Sequence, residues 1–522
     1  MAYFDANNNQ KMSGGANKKQ GLPRTVGLGR FCSNAIQLRA GYCRCIPTPT
    51  PSPLPTPTPT PTPTPPTLAL IITFLPVEQH ITPTGEILTF KSNTPGYYIL
   101  SGITTLFQSG TITIPVSALI GSLTIYSDTV TFVECGQLNV SDITFNNVPV
   151  LTYLSCSLNS IQTLEIKNIT SLTELYCNKN LLTVLDVAKL INLTVLDCAN
   201  IGDFGDVSPF PNNNTIYILD VRQLTQLTRL VCNGNAITDL EVTYLTQLTG
   251  LYCANNNISS LDVSQLTKLV TLYCSSNQIS ILDVRLMTEL LSLYCESNQI
   301  SQLELVSASQ LTFLSCGNNK LESLDLSRVT QLTILGCSNN RITSLELTPV
   351  TQLTDLICTD NRIESLDLSK VTQLTNLNCA NNRIESLVLT PVTQLTTLDC
   401  NNNLINSLEL TPVTQLTYLI CNNNLITSLD LRPVTQLTNL DCSDNAITSL
   451  DLRPVTQIKY VNCTRNNIIQ SEAENIAGAI ISNNIIGGTL FITRQKNNVI
   501  IAIQGNLLTL KQPPYNWKID SK

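Results

Sequence analysis

Sixteen cysteines between Cys135 and Cys463 follow one another at intervals of 21 residues, with a single exception of 34 between Cys198 and Cys232. A fixed period over roughly two thirds of a chain restricts it to repeat architectures, in which each unit packs only against its neighbours. Around Cys316 the unit reads Leu311, Leu314, Cys316, Asn319, Leu321, Leu324, Leu326 and Val329, or LxxLxCxxNxLxxLxLxxV. Alternation in LTNLDC sets Leu440 and Cys442 on one face and Asn439 and Asp441 on the other, which predicts a short strand. The chain is expected to turn after the asparagine, whose amide can bond backbone groups of its own turn and of the stacked neighbour. One coil cannot bury seven apolar positions alone. Stacking does, with parallel strands ~4.8 Å apart and a rod on the order of 75 Å long.

These residues resemble the leucine-rich repeat family, with cysteine in the third leucine place of LxxLxLxxNxL. Asparagine follows three places after the cysteine in 14 of the 16 units; Leu138 stands there in the first, and after Cys198 it is displaced to Asn200. The variant LxCxxNxITSLDLS is most similar to short repeats of bacterial and viral (phage or giant-virus) surface proteins. The resemblance implies an α/β-type solenoid dominated by β structure, of about 16 coils, used for binding rather than catalysis.

The repeated cysteine is expected to be a packing residue. Stacked strands leave neighbouring Cβ atoms near ~4.8 Å, beyond the ~3.8 Å a disulfide prefers, and a small apolar thiol suits a narrow ladder. A second column is acidic: of Glu165, Asp186, Asp220, Glu241, Asp262, Asp283, Glu304, Asp325, Glu346, Asp367, Val388, Glu409, Asp430 and Asp451, thirteen carry a carboxylate. Like charges at that spacing repel, so compensation is expected from turn amides and from Arg222, Arg285, Arg328, Lys370, Arg432 and Arg453. A row of weak calcium sites is the alternative, although each coil offers only one such carboxylate. No metal or other cofactor is expected.

Five segments are expected. Residues 1–46 form a basic segment, with seven Lys or Arg against one acid in its first 45 residues and with Cys32, Cys43 and Cys45. Residues 47–66 alternate Pro and Thr, a polyproline spacer of about 60 Å at ~3.1 Å per residue. Residues 67–129 read as a strand-rich cap (GEILTF, GYYIL, GTITIPV, GSLTIYSDTVTFVEC), residues 130–469 as the solenoid and residues 470–522 as an α+β closing cap. In that closing cap SEAENIAGAIISNN reads as a helix, and GGTLFITR, NVIIAIQ and NWKID as strands. The long interval holds an insertion at about 201–213 with Phe204 and Phe210, either a binding loop or a neutral one.

No apolar run reaches the 18 or so residues of a spanning helix, and the N-terminus lacks a secretory core. With 13% charged residues and a net charge of −7, the solenoid is not expected to bind nucleic acid. His80 is the one histidine, and no glycine-rich phosphate loop precedes a helix, so no catalytic residue is assigned.

Positions one and three before each cysteine tile the outward strand face. There the candidate partner-binding residues are Tyr176, Tyr252, Tyr273, Tyr294, Phe313, Asp355, Asp399, Tyr418, Asp441 and Tyr460. Rows of tyrosine are characteristic of recognition surfaces, and equally of cross-strand stacking for stability. With Glu134, Glu174 and Asp197 against Arg229, the face should prefer a neutral or basic partner, a protein or glycan. The basic segment is expected to dock to an acidic or particle component. Anchor, stalk and head together point to display from a virion or cell surface; a cytoplasmic scaffold is the alternative.

Overall fold

The computed structural model describes residues 68–74, 87–100, 103–115, 122–200, 214–496 and 499–520. Two compact units divide the chain, Met1–Pro63 and Thr64–Lys522, and all described residues belong to the second. The basic segment, the whole Pro-Thr run, His80 and the insertion with Phe204 and Phe210 lie outside the described residues.

The apolar run LALIITF forms β1 (Leu68–Phe74), part of a five-stranded antiparallel sheet in the order β4 (Ile103–Phe107), β3 (Gly96–Leu100), β6 (Ser122–Tyr126), β1, β8 (Val140–Phe145). Beside it, β2 (Ile87–Ser92) pairs antiparallel with β5 (Gly110–Pro115) and β7 (Val130–Glu134). Leu70, Ile72, Leu88, Phe90 and Ile125 are fully buried there, and the Phe90 ring meets Phe107 edge-on at 5.2 Å. Gly96 is obligatory, since a Cβ would lie 2.2 Å from the Tyr126 carbonyl oxygen. β7 carries the chain into the solenoid: it pairs antiparallel with β2 on one edge and parallel with β9 (Tyr153–Ser155) on the other.

From β9 a single parallel ladder of three-residue strands continues one coil at a time to β23 (Tyr460–Asn462), with leucine aligned to leucine in almost every step. Three-residue strands are too short to hold a sheet by themselves; two columns of side chains bind the coils together, and a third fixes the turn within each coil. The first is the repeated asparagine. Asn445, fully buried, donates through Nδ2 to the Cys421 carbonyl of the preceding coil (2.9 Å) and to its own Cys442 carbonyl (3.1 Å), while Oδ1 accepts from the Ile426 N–H (3.0 Å). The second is a threonine four places before the cysteine: Thr438 Oγ1 donates to the Thr417 carbonyl (2.9 Å), and Thr417 repeats this on Thr396 (3.1 Å). The third is the acidic column. Asp451 Oδ1 accepts from the Arg453 N–H two places on (2.9 Å) and Oδ2 from its guanidinium (2.8 Å), an arrangement repeated at Asp430, Asp283 and Asp220. Where Ser or Thr follows, as at Asp325 and Glu346, the amide bond remains and the hydroxyl takes the place of the guanidinium. The carboxylates are therefore turn acceptors, as charge repulsion had required.

The turn itself comes one residue earlier than expected. The residue before the asparagine takes left-handed backbone, as in Asn318 (φ 53°) and Asp444 (φ 53°), which is why Asn, Asp and Ser recur there. All sixteen repeat cysteines are free and buried at 0% exposure.

After β23 the closing unit begins with α1 (Gln470–Ser482), then β24 (Gly488–Phe491), α2 (Gly505–Lys511) and β25 (Trp517–Ile519), which extend the parallel ladder by two strands. The expectation for NVIIAIQ is corrected: it forms no strand beyond one bridge of Ile500 to Arg494, and α2, which the reading missed, follows it. Gln470 of α1 explains the difference, because its side-chain amide both donates to the Ala502 carbonyl (3.0 Å) and accepts from the Ala502 N–H (2.8 Å), taking the bonds a strand would need.

Candidate interaction surface

Inward alternation of Leu and Cys forces the two remaining residues of each strand outward, so the face is built from columns at positions −3 and −1 relative to cysteine. The ten candidate residues all lie in these columns; nine form two groups and Asp355 stands apart.

The first group is aromatic. Tyr176 donates to Glu174 Oε2 (2.9 Å), and burial together with that carboxylate raises its phenol to about 12. Upstream, Tyr153 stacks on Phe132 at 4.3 Å and donates to Glu134 (3.0 Å). In the next run the Arg229 guanidinium lies 4.4 Å over the Tyr252 ring, Tyr273 meets Tyr294 at 5.0 Å, and Tyr294 stacks on Phe313 at 4.4 Å. Tyr273 is only 8% exposed, and burial lifts its phenol to about 12. It stands between Tyr252 and Tyr294 in the row and offers little area of its own, while Tyr252, Tyr294 and Phe313 keep half-buried rings on the surface.

The second group alternates tyrosine and aspartate. Strands β20 (Thr397–Asp399), β21 (Tyr418–Ile420), β22 (Asn439–Asp441) and β23 present Tyr418, Asn439 and Tyr460 in one column and Asp399, Ile420 and Asp441 in the other. Asp441 accepts from Ser443 (N–H 3.0 Å, Oγ 2.7 Å) and Asn462 (2.9 Å). Asp399 accepts through Oδ1 from Asn401, and burial, with the Asp441 charge nearby, raises its carboxyl. Asp355 stands apart between the groups, bonded to Thr354 and Asn376 and flanked by Ile334 and Ile357.

The outward reading of two columns missed a third, one place after the cysteine. It contains Glu296, a mostly buried carboxylate beside Tyr273 and Tyr294, whose Oε2 has no hydrogen-bond partner among the described residues and whose pKa burial raises. Its signal was available: Glu in a column otherwise held by Gly, Ala, Ser, Thr and Asn.

Residues 246–285 match the family model described as leucine-rich repeats (two copies). A search of curated proteins finds no match. Among solved structures, the functional domain of InlJ from Listeria monocytogenes, described as including a cysteine ladder, is 32% identical, with 74% of this chain and 77% of that one covered and a TM-score of 0.59. A leucine-rich repeat protein of Leptospira interrogans is 23% identical over 64% of this chain and 89% of its own, TM-score 0.55. YopM from Yersinia enterocolitica is 22% identical over 70% and 78%, TM-score 0.53.

Proposed function

Because the chain belongs to the leucine-rich repeat family, we propose that it is a non-catalytic recognition module that engages a protein partner through its open strand face. One observation carries this reading: buried positions repeat almost unchanged from coil to coil, while the outward columns break that uniformity with a contiguous run of Tyr252, Tyr273, Tyr294 and Phe313 on successive strands. Half-buried aromatic rings on a fixed scaffold supply contact area with little entropy to lose, which is where binding energy concentrates. Stacking within the run serves stability as well, and the two roles are compatible because Tyr252, Tyr294 and Phe313 stay only half-buried.

The anchor and stalk belong to the same proposal. A basic segment followed by a stiff Pro-Thr spacer would present the solenoid at a distance from a virion or cell surface. Immunogold labelling of intact particles or cells tests this; a strictly internal location would favour the scaffold reading instead. No helix among the described residues is long and apolar enough to cross a membrane. For the face, the immobilised full chain is used to capture its partner, and Tyr252→Ser with Tyr294→Ser should abolish capture while the melting transition stays in place. Undiminished capture would remove the aromatic run from the account.

A further inference from the structure

Two of the aromatic groups in the ladder carry a cation supplied by the chain itself: Arg229 lies 4.4 Å over Tyr252, and Lys91 Nζ lies 4.5 Å over Phe132. Tyr418 and Tyr460 carry none among the described residues, although they stand beside Asp399 and Asp441. Neither aspartate has a basic residue within ion-pair distance among the described residues; the nearest acid of the next column, Asp444, is already taken by Arg465 at 3.4 Å. Nothing described donates to Asp399 Oδ2, whose side chain is partly exposed.

The flank of the face changes at the same place. Four residues after the cysteine, the exposed turn column runs Lys320, Arg341, Arg362 and Arg383, and then becomes Leu404, Leu425 and Ala446. Stacking continues unbroken through that change, with Leu404 N–H donating to Ile384 and Leu425 N–H to Ile405. The basic flank thus stops at the coil that carries Asp399, and two leucines exposed at 45% and 55% replace it. Tyr418, at 37%, is the most exposed of the candidate rings. It is separated from Tyr460 by one strand carrying Asn439, so their backbones stand two strand spacings apart, about 9.6 Å.

We propose that this patch, Tyr418 and Tyr460 with Asp399 and Asp441, receives an arginine side chain from an extended basic segment of the protein partner. A guanidinium fits on three counts. It is planar and stacks on phenol rings; it can donate to carboxylates while stacked; and it completes the cation–aromatic pairing that the chain leaves open here. The aliphatic stem and neighbouring residues of the segment then meet Leu404 and Leu425. The inference rests on the open-face reading and refines it to a partner chemistry.

The test uses the full chain and a fluorescent, end-blocked octapeptide, Gly-Ser-Arg-Ser-Gly-Arg-Ser-Gly, followed by polarisation at physiological salt, with a citrulline-substituted peptide as the neutral isostere. Citrulline should weaken binding by about tenfold or more, as should Asp399→Asn with Asp441→Asn, and Tyr418→Ser with Tyr460→Ser. Asp430→Asn with Asp451→Asn removes the same charge from the acidic column and should leave binding unchanged. Equal binding of the citrulline peptide, equal loss in the acidic-column variant, absence of peptide binding, or retention of a neutral oligosaccharide by the same patch would each overturn the proposal. With the captured partner, loss in the Tyr252/Tyr294 variant but not in the patch variants keeps the open-face reading and overturns the patch; indifference to both overturns the two together.

Discussion

At the scale of single residues, the buried asparagine carries more of the fold than any one leucine. Asn403 donates to the Cys379 and Cys400 carbonyls (3.0 and 3.1 Å) and accepts from the Ile384 N–H (2.9 Å), so its removal orphans buried backbone groups in two coils. Asn403→Ala should cost about 2 to 4 kcal/mol, read as lost hydrogen-exchange protection of the coils on either side; unchanged protection would mean that other bonds suffice. Cysteine behaves oppositely, as a small apolar filler. Burial pushes the Cys253 and Cys337 thiols up to about 12, and Cys442 is raised for the same reason with Asp441 adding to it. A folded-state pKa raised above the ordinary thiol value stabilises the fold below pH about 9 and loses that contribution as pH climbs through the folded value. The melting temperature should therefore fall as pH rises from 8 to 10.5, and the repeat thiols should resist maleimide labelling at pH 8 until the chain is unfolded. Rapid labelling of the repeat thiols in the native protein, beyond any at Cys32, Cys43 and Cys45, would contradict a closed ladder.

At the scale of elements, the acidic column is a row of self-contained turns. The Arg432 guanidinium and backbone N–H hold the Asp430 carboxyl at about 2, and Arg285 does the same for Asp283. Their oxygens are committed within their own coil, so millimolar calcium should leave the melting temperature where it is. An upward shift would revive a row of ion sites. These pairs are exposed, and their share of stability is correspondingly small. The caps are a different element problem, being sheets and helices that must match one irregular edge. Gly488 shows how tight that match is: a Cβ there would lie 2.6 Å from the Lys459 carbonyl and 2.7 Å from the Trp517 ring. Gly488→Ala should detach β24 and β25 before the repeats melt, visible as early exposure of Trp517 fluorescence.

At the scale of the whole molecule, legibility follows periodicity. Each coil restates the same seven buried positions, so a solenoid, its inward cysteines and its outward columns can be read from the spacing of cysteine, leucine and asparagine. What does not repeat is harder to read. The short helix α2 owes its position to contacts made 32 and 33 residues away, the Asn506 and Leu507 N–H groups donating to Glu474 Oε2. NVIIAIQ looked like a strand because its composition is β-forming, and the Gln470 clamp overrode that preference. The threonine column went unnoticed because a hydroxyl on a partly exposed site carries no hydrophobic signal. On the open face the ten candidates lie in the outward columns, yet spacing alone could not show that Tyr273 is covered or that Glu296 lies among the rings.

The claim that recognition occurs on that face meets its most direct test in hydroxyl-radical footprinting of the full chain with and without its captured partner. Tyr217 and Tyr244, exposed at 50% and 62% and outside the strand columns, serve as internal references. The account predicts protection of Tyr252, Tyr294 and Tyr418 with Tyr217 and Tyr244 unchanged. Protection of Tyr217 and Tyr244 with the strand-face tyrosines still reactive would contradict it.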